Sequence, residues 1–419
     1  MLFLPLVAAS ALVSLSAASP IDGSRASQVI NGSYIIKLKD DVAADSHLQW
    51  VGGIHARSLG KNEFSGIQRE YNSLAFRGYA GRFDGDTIAR IKSSADVAYV
   101  EEDKTWYLED TLVERDLTTQ RPATWGLGAI SHRKPGAAEY AYDTAAGKGT
   151  YGYIVDSGIR TTHKEFEGRA STGWTGYEGD EEDTAGHGTH VAGTVGGVTF
   201  GVAKKATLIG VKVFQGRSAS TAIIMAGFDW AVNDIVSKNR KNKSAINLSL
   251  GGPPSKAWND AIQTAFSKGV LSIVAAGNDQ VDASGSSPAS APNALTVGAV
   301  NKNWEIVTNW PKGQGSNYGK VLDIFAPGDN IESAGIGSDS EVKLNSGTSM
   351  ACPHVTGMAL YAMSVNGVQG AKAVSEHLIK NSGQGVVKGP LRGSPNRMAN
   401  LGNNSTLDWK YFVANNRAA

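Results

Sequence analysis

From Trp125 onward, short apolar runs alternate with longer segments in which apolar residues recur at helical spacing. TYGYIVD (150–156), LIGVKVF (208–214), SAINLSL (244–250), VLSIVAAGN (270–278) and ALTVGAV (294–300) predict strands. TAIIMAGFDWAVNDIVSK and PSKAWNDAIQTAFSKG predict helices between them. Strands separated by helices imply βαβ units, so this part of the chain is expected to form one doubly wound α/β domain on a parallel sheet. The 50 glycines follow no short repeat, and point to tight turns and close backbone approaches.

The pattern before Trp125 is different. YIIKLKDDV (34–42) alternates apolar and polar residues as a half-buried strand does, and DTIARIKSSADVAYVEED (86–103) reads as an amphipathic helix followed by a short strand. Together they predict a small α+β unit of about 70 to 90 residues. LEDTLVERDLTTQRPAT (108–124) has no apolar period and predicts an exposed, cleavable linker. The opening MLFLPLVAASALVSLSAASP is an apolar run ending in small residues, the layout of a secretory signal peptide cleaved near Ala18 to Pro20. Its uninterrupted apolar stretch is shorter than the ~20 residues of a bilayer span. The expected division is a signal peptide at 1–19, the small unit at 20–117 and the α/β domain at 118–419.

Charge adds one refinement. The 40 basic and 39 acidic residues nearly cancel, which gives no sign of a nucleic-acid binder. Residues 21–117, however, carry 12 basic and 16 acidic side chains, leaving 28 and 23 for residues 118–419, so the two units are complementary in sign. The single cysteine, Cys352, cannot form an intramolecular disulfide, and stability outside the cell must come from core size, with bound ions as an optional addition.

In open parallel sheets ligands bind beyond the carboxyl ends of the strands, so polar residues ending apolar runs are the first candidates for chemistry. Asp156 ends YGYIV and opens DSGI. A lone Asp in such a place is more often a turn former or cap than a catalyst, so it needs partners. His187 stands in GHGTHVAGTVGG (186–197), where a glycine-rich turn becomes a helix of small residues. Its spacing to His190 is not the i, i+4 of a zinc helix, and an imidazole at an element end suits a general base. Ser349, in LNSGTSMACPHVTG (344–357), opens an expected helix, SMACPHVTGMALYAMS, whose Pro353 is expected in the first turn. A helix N-terminus favours developing negative charge there. Cys352 has no cation beside it to form a thiolate, so packing is its expected role, and His354 is expected to pack or cap locally.

With VDSGI, HGTHVAGT, AAGN and SGTSMACPHV in this order, the chain resembles the subtilisin family of serine proteases, in its secreted fungal, proteinase K-like branch. SYIIKLK and VAYVEED look like that family's inhibitory propeptide. The resemblance implies Ser349 as nucleophile, His187 as base, Asp156 as the carboxylate orienting it, and Asn278 as an oxyanion donor beside the Ser349 N–H. It implies a protein or peptide substrate bound as an added strand between Ser249, Leu250 and Gly251 and the stretch around Gly216, with Ala276 and Gly277 on the P1 pocket. ASGSSPASAPNAL, expected at the pocket base, has no acidic residue, so apolar or aromatic P1 residues are expected.

The resemblance further implies a structural calcium held by the Pro292 and Ala294 carbonyls and Asp323. It also implies a propeptide acting as intramolecular inhibitor and chaperone, and a secreted monomer that digests host or environmental protein. Arg217 stands where the family often has small residues, and the acidic run EGDEED (178–183) reads as a solvated loop. A catalytically dead relative would have replaced one of Asp156, His187, Asn278 and Ser349, and a lipase-like enzyme would show GxSxG where this chain has GTSMA. Sequons stand at Asn31, Asn242, Asn247, Asn403 and Asn404, with Asn247 expected out of reach on a core strand.

Overall fold

The computed structural model describes residues 29–58, 62–73, 76–108, 111–112 and 123–402. The expected signal peptide and most of the expected linker lie outside these. Within them, nine strands form the central sheet, ordered Gly383–Gln384, Arg397–Met398, Ile324–Pro327, Leu295–Val300, Leu271–Ala275, Ser244–Leu248, Tyr151–Asp156, Thr207–Lys212 and Ala170–Thr175. All neighbours are parallel except the Gly383–Gln384 pair at the edge. Strand order reverses between Tyr151–Asp156 and Ser244–Leu248, which pair in register from Ser244 with Tyr151 to Asn247 with Ile154. A crevice opens at such a reversal, at the carboxyl ends where Asp156 and Ser249 stand.

Both sheet faces are covered, as the unbroken apolar runs require. One core joins Ile154, Leu208 and Ile273 to Val191 and Val195 of helix His187–Gly196 and Val355 and Met358 of helix Thr348–Ser364. The other joins Tyr153, Val211 and Ile246 to Phe228 of helix Thr221–Ser237 and Trp258 of helix Lys256–Ser267. The edge strand Ala170–Thr175 was not legible, because ASTGWT is polar and only half covered.

The small unit runs strand, helix, strand, strand, helix, strand: Val29–Leu38, Ala44–Ala56, Gly66–Asn72, Arg77–Arg82, Gly85–Lys92 and Val97–Leu108. Its antiparallel sheet, ordered Val97–Leu108, Val29–Leu38, Arg77–Arg82, Gly66–Asn72, has the split βαβ topology. Strand alternation gives it two apolar faces. Ile36 packs with Tyr79, Phe83, Val51 and Ile91 under its own helices, whereas Ile35, Tyr71 and Phe76 join the core of helix Thr221–Ser237.

The charge complementarity of the two units is local. Asp103 Oδ1 accepts from Ala222 N at 3.2 Å and Glu101 Oε2 from Ala257 N at 2.9 Å, so each carboxylate meets the N-terminus of one helix of the α/β domain. Tyr71 donates its hydroxyl to Ala222 O, and Tyr99 to Asp260. Burial pushes the Asp103 carboxyl above the usual carboxylate range.

The expected linker is partly structured. The strand Val97–Leu108 runs beyond its own sheet to pair antiparallel with Ser218–Ser220 and with Leu250–Gly251. Thr111–Leu112 then pairs antiparallel with Asn345–Ser346.

Candidate active site

Asp156 ends the strand at the reversal and is fully buried. Its Oδ1 accepts from Ser157 N at 2.7 Å, and both oxygens lie within hydrogen-bond distance of His187 Nδ1, at 2.8 and 2.9 Å. A carboxylate only accepts, so Nδ1 carries the proton and Nε2 is the basic nitrogen. Nε2 is buried without a hydrogen-bond partner, which suits an atom waiting to take a proton. The approach depends on glycine, since a Cβ on Gly188 would stand 2.2 Å from Gly158 O and 3.1 Å from Asp156 Cβ.

Ser349 is the second residue of helix Thr348–Ser364 and fully buried. Its Oγ donates to Ser249 O at 3.1 Å. Asn278 follows the strand Leu271–Ala275, and its Oδ1 accepts from both Thr348 N and Thr348 Oγ1 at 2.9 Å. With the carbonyl end of the amide so occupied, its N–H end is the one turned away from Thr348. Gly277 takes φ +100°, donates to Thr348 Oγ1, and could carry no Cβ, which would lie 2.4 Å from Asn317 Nδ2. Ala276 is buried, with its carbonyl held by Asn317.

Leu250 and Gly251 pair with the docked tail. Among the described residues Gly216 itself does not. It forms the turn, at φ +61°, that leads into the pairing segment Ser218–Ser220. Pro353 falls at the sixth helical position and not in the first turn, because the helix already begins at Thr348.

Cys352 is a packing residue. Burial pushes its thiol up to about 12, and Sγ lies 3.3 Å from both Asn247 Oδ1 and Ile273 O, which share its one hydrogen. His354 bonds Met350 O through Nδ1, and burial lowers it to about 4. Thiol alkylation of the folded enzyme is therefore expected to leave turnover intact, while a serine-directed sulfonyl fluoride abolishes it; loss of turnover on alkylation without unfolding contradicts this assignment.

The acidic run 178–183 is not simply a solvated loop. Asp183 is buried and accepts five hydrogen bonds, from the Ala185, Gly186 and Thr189 N–H groups and the Ser157 and Thr189 hydroxyls. It ties the turn after Asp156 to the start of the His187 helix. Lys212, also fully buried, bonds Glu182 O and stands 3.3 Å from Asp180. An Asp four residues before the histidine, at a helix start, was the available sequence signal.

Residues 147–404 match the family model described as Subtilase family, Peptidase S8. The chain belongs to the subtilase family. Residues 33–109 match the peptidase inhibitor I9 family, so this subtilase carries a propeptide inhibitor domain ahead of its catalytic domain. It is 53% identical over 382 residues to alkaline protease 1 of Aspergillus clavatus, covering 89% of this chain and 92% of that one. It is 50% identical over 381 residues to an alkaline proteinase of Hapsidospora chrysogena, covering 90% and 93%. A solved cold-adapted subtilisin-like serine proteinase matches with TM-score 0.59 and 37% identity over 66% of this chain and 97% of that one. The subtilase is thus a serine protease, and the family and fold expected from four motifs hold.

Proposed function

We propose that this subtilase is a secreted serine endopeptidase, made as a self-processing, monomeric zymogen, that cleaves proteins after apolar or aromatic residues through Ser349, His187, Asp156 and Asn278. The observation that carries the reading is that the chain's own segment up to Leu108 lies as a strand between Ser218–Ser220 and Leu250–Gly251, as an extended substrate would.

In the proposed reaction His187 Nε2 takes the Ser349 hydroxyl proton as Oγ bonds to the scissile carbonyl carbon. For this the hydroxyl swings from Ser249 O toward His187. The carbonyl electron pair moves onto oxygen, where the Ser349 N–H and the Asn278 amide N–H receive it. Collapse breaks the C–N bond, and His187 returns the proton to the leaving amine. Water, deprotonated by the same nitrogen, then hydrolyses the acyl-enzyme. Asp156 holds His187 in the required tautomer and stabilises its cation.

Self-processing is supported by register. Leu108 stands opposite Leu250, the neighbour of the Ser249 that bonds Ser349, and Thr111 stands opposite Ser346, three residues before Ser349. The first cut is expected between Leu108 and Thr111, close to where the inhibitor match ends, at 109. The proposed boundary at 117/118 then follows by trimming of the linker.

Calcium fits as a structural ion. Ala294 immediately precedes the strand Leu295–Val300 and Asp323 the paired strand Ile324–Pro327, so both lie at the same end of the sheet, with Pro292 in the turn before. Asp323 accepts from Thr296 N at 2.8 Å, and burial raises it to about 6, a cost that a bound cation relieves. One carboxylate with the Pro292 and Ala294 carbonyls is an oxygen donor set suited to calcium, which would brace these loops. No group of three or more His, Cys, Asp or Glu converges among the described residues.

Digestion of a mixed peptide library, with mass spectrometry of the cut sites, tests the specificity. Apolar and aromatic P1 residues are expected to dominate, because 283–295 offers no carboxylate to pair a basic side chain. A profile dominated by Lys and Arg contradicts the reading.

A further inference from the structure

We propose that the Ser249 hydroxyl is a positioning group for the nucleophile, standing in for the helical hydrogen bond that Pro353 removes. The inference rests on Ser349 being the nucleophile.

Each N–H of an α-helix donates to the carbonyl four residues earlier. In helix Thr348–Ser364 the carbonyl of Ser349 is due a hydrogen from residue 353, and that residue is proline, which has none. A buried carbonyl left unpaired is costly, and here it belongs to the reacting residue. Ser249 Oγ fills the gap, donating to Ser349 O at 2.8 Å. The two residues are doubly joined, since Ser349 Oγ donates to Ser249 O.

The Ser249 proton is aimed by its neighbours. Asn247 Nδ2 donates to Ser249 Oγ at 2.9 Å, which leaves the hydroxyl hydrogen for Ser349 O. Asn247 Oδ1 in turn accepts from Thr356 Oγ1 and Cys352 Sγ, on the same helix as Ser349. Asn247, Ser249, Ser349, Cys352 and Thr356 are all fully buried. The end of the strand at the sheet reversal thus grips the first turns of the helix through side chains, where main-chain bonding is interrupted. The same buried amide makes the Asn247 sequon inaccessible in the folded chain.

An attacking oxygen displaced by about 1 Å can cost on the order of 10² in rate. Ser249→Ala is therefore expected to lower kcat about 10- to 100-fold, with KM within about twofold, since the Ser249 main chain that flanks the substrate is unchanged. The deciding variant is Ser249→Ala with Pro353→Ala. Alanine at 353 supplies the missing N–H to the same carbonyl, so the double variant is expected to recover at least about fivefold in kcat over Ser249→Ala. Mere loss of packing predicts the opposite, because both changes remove buried atoms.

The variants are made from the full chain, and kcat, KM and thermal midpoints are measured after maturation. If Ser249→Ala alone fails to fold, the inference requires the double variant to fold and turn over. Wild-type kcat in Ser249→Ala, or a double variant no better than the single, overturns it. Sulfonyl labelling of wild type keeps the two levels apart: label away from Ser349 defeats the proposed function, whereas label on Ser349 with no cost from Ser249→Ala defeats only the positioning role.

Discussion

Ser349→Ala is expected to accumulate as a chain that keeps its propeptide, with kcat reduced about 10⁶-fold, the scale known from subtilisin itself. The change deletes the attacking oxygen and almost no volume, so folding should survive. Docking should survive too, because the capping of helices Thr221–Ser237 and Lys256–Ser267 by Asp103 and Glu101, and the contact of Tyr71 with Ala222, do not involve Ser349. The tail would remain in the cleft as an uncut substrate strand. N-terminal sequencing of secreted protein checks this. The mutant should begin near residue 19 to 21, and wild type downstream of Leu108, at Thr118 once the linker is trimmed. A mutant trimmed like wild type in a host without other secreted proteases shows that maturation is not self-catalysed.

Asp156→Asn is expected to lower kcat about 10⁴-fold while leaving KM within a few-fold, the scale known for the same change in a chymotrypsin-type triad. The reason is tautomeric. Both Asp156 oxygens lie within 2.8 to 2.9 Å of His187 Nδ1, and both can only accept. An amide turned to donate would hold the imidazole proton on Nε2, the nitrogen that must receive the Ser349 proton. The Ser157 N–H would still find the amide oxygen, so the turn is expected to keep its shape. Steady-state kinetics on a short peptide substrate, with the thermal midpoint as a folding control, measure the effect. Retention of more than about a tenth of wild-type kcat contradicts the assigned role.

Much of this was readable from the chain. The five apolar runs became five adjacent or neighbouring strands of one sheet, because a parallel sheet buried on both faces needs runs that are apolar throughout. The three residues that end or open elements at the crevice were visible for the same reason. The polar supports were less visible. Asp183 was lost in an acidic run because five local donors, and not composition, decide that it is buried. Ser249 was noted for its main chain, and only three-dimensional contact shows its hydroxyl beneath Ser349 O. Pro353 lies in the second turn and not the first, the helix starting one residue before the serine. The pairing of the tail with Ser218–Ser220 is likewise main-chain bonding, which leaves little trace in side-chain pattern.

Ser349 is the proposed nucleophile, and every other assigned role at the site depends on it. Its most direct test is mass spectrometry of the mature enzyme after complete inactivation by a serine-directed sulfonyl fluoride. One adduct per molecule is predicted, on the peptide that contains Ser349, with Cys352 unmodified. Full inactivation with the adduct on any other residue, or with none on Ser349, contradicts the account.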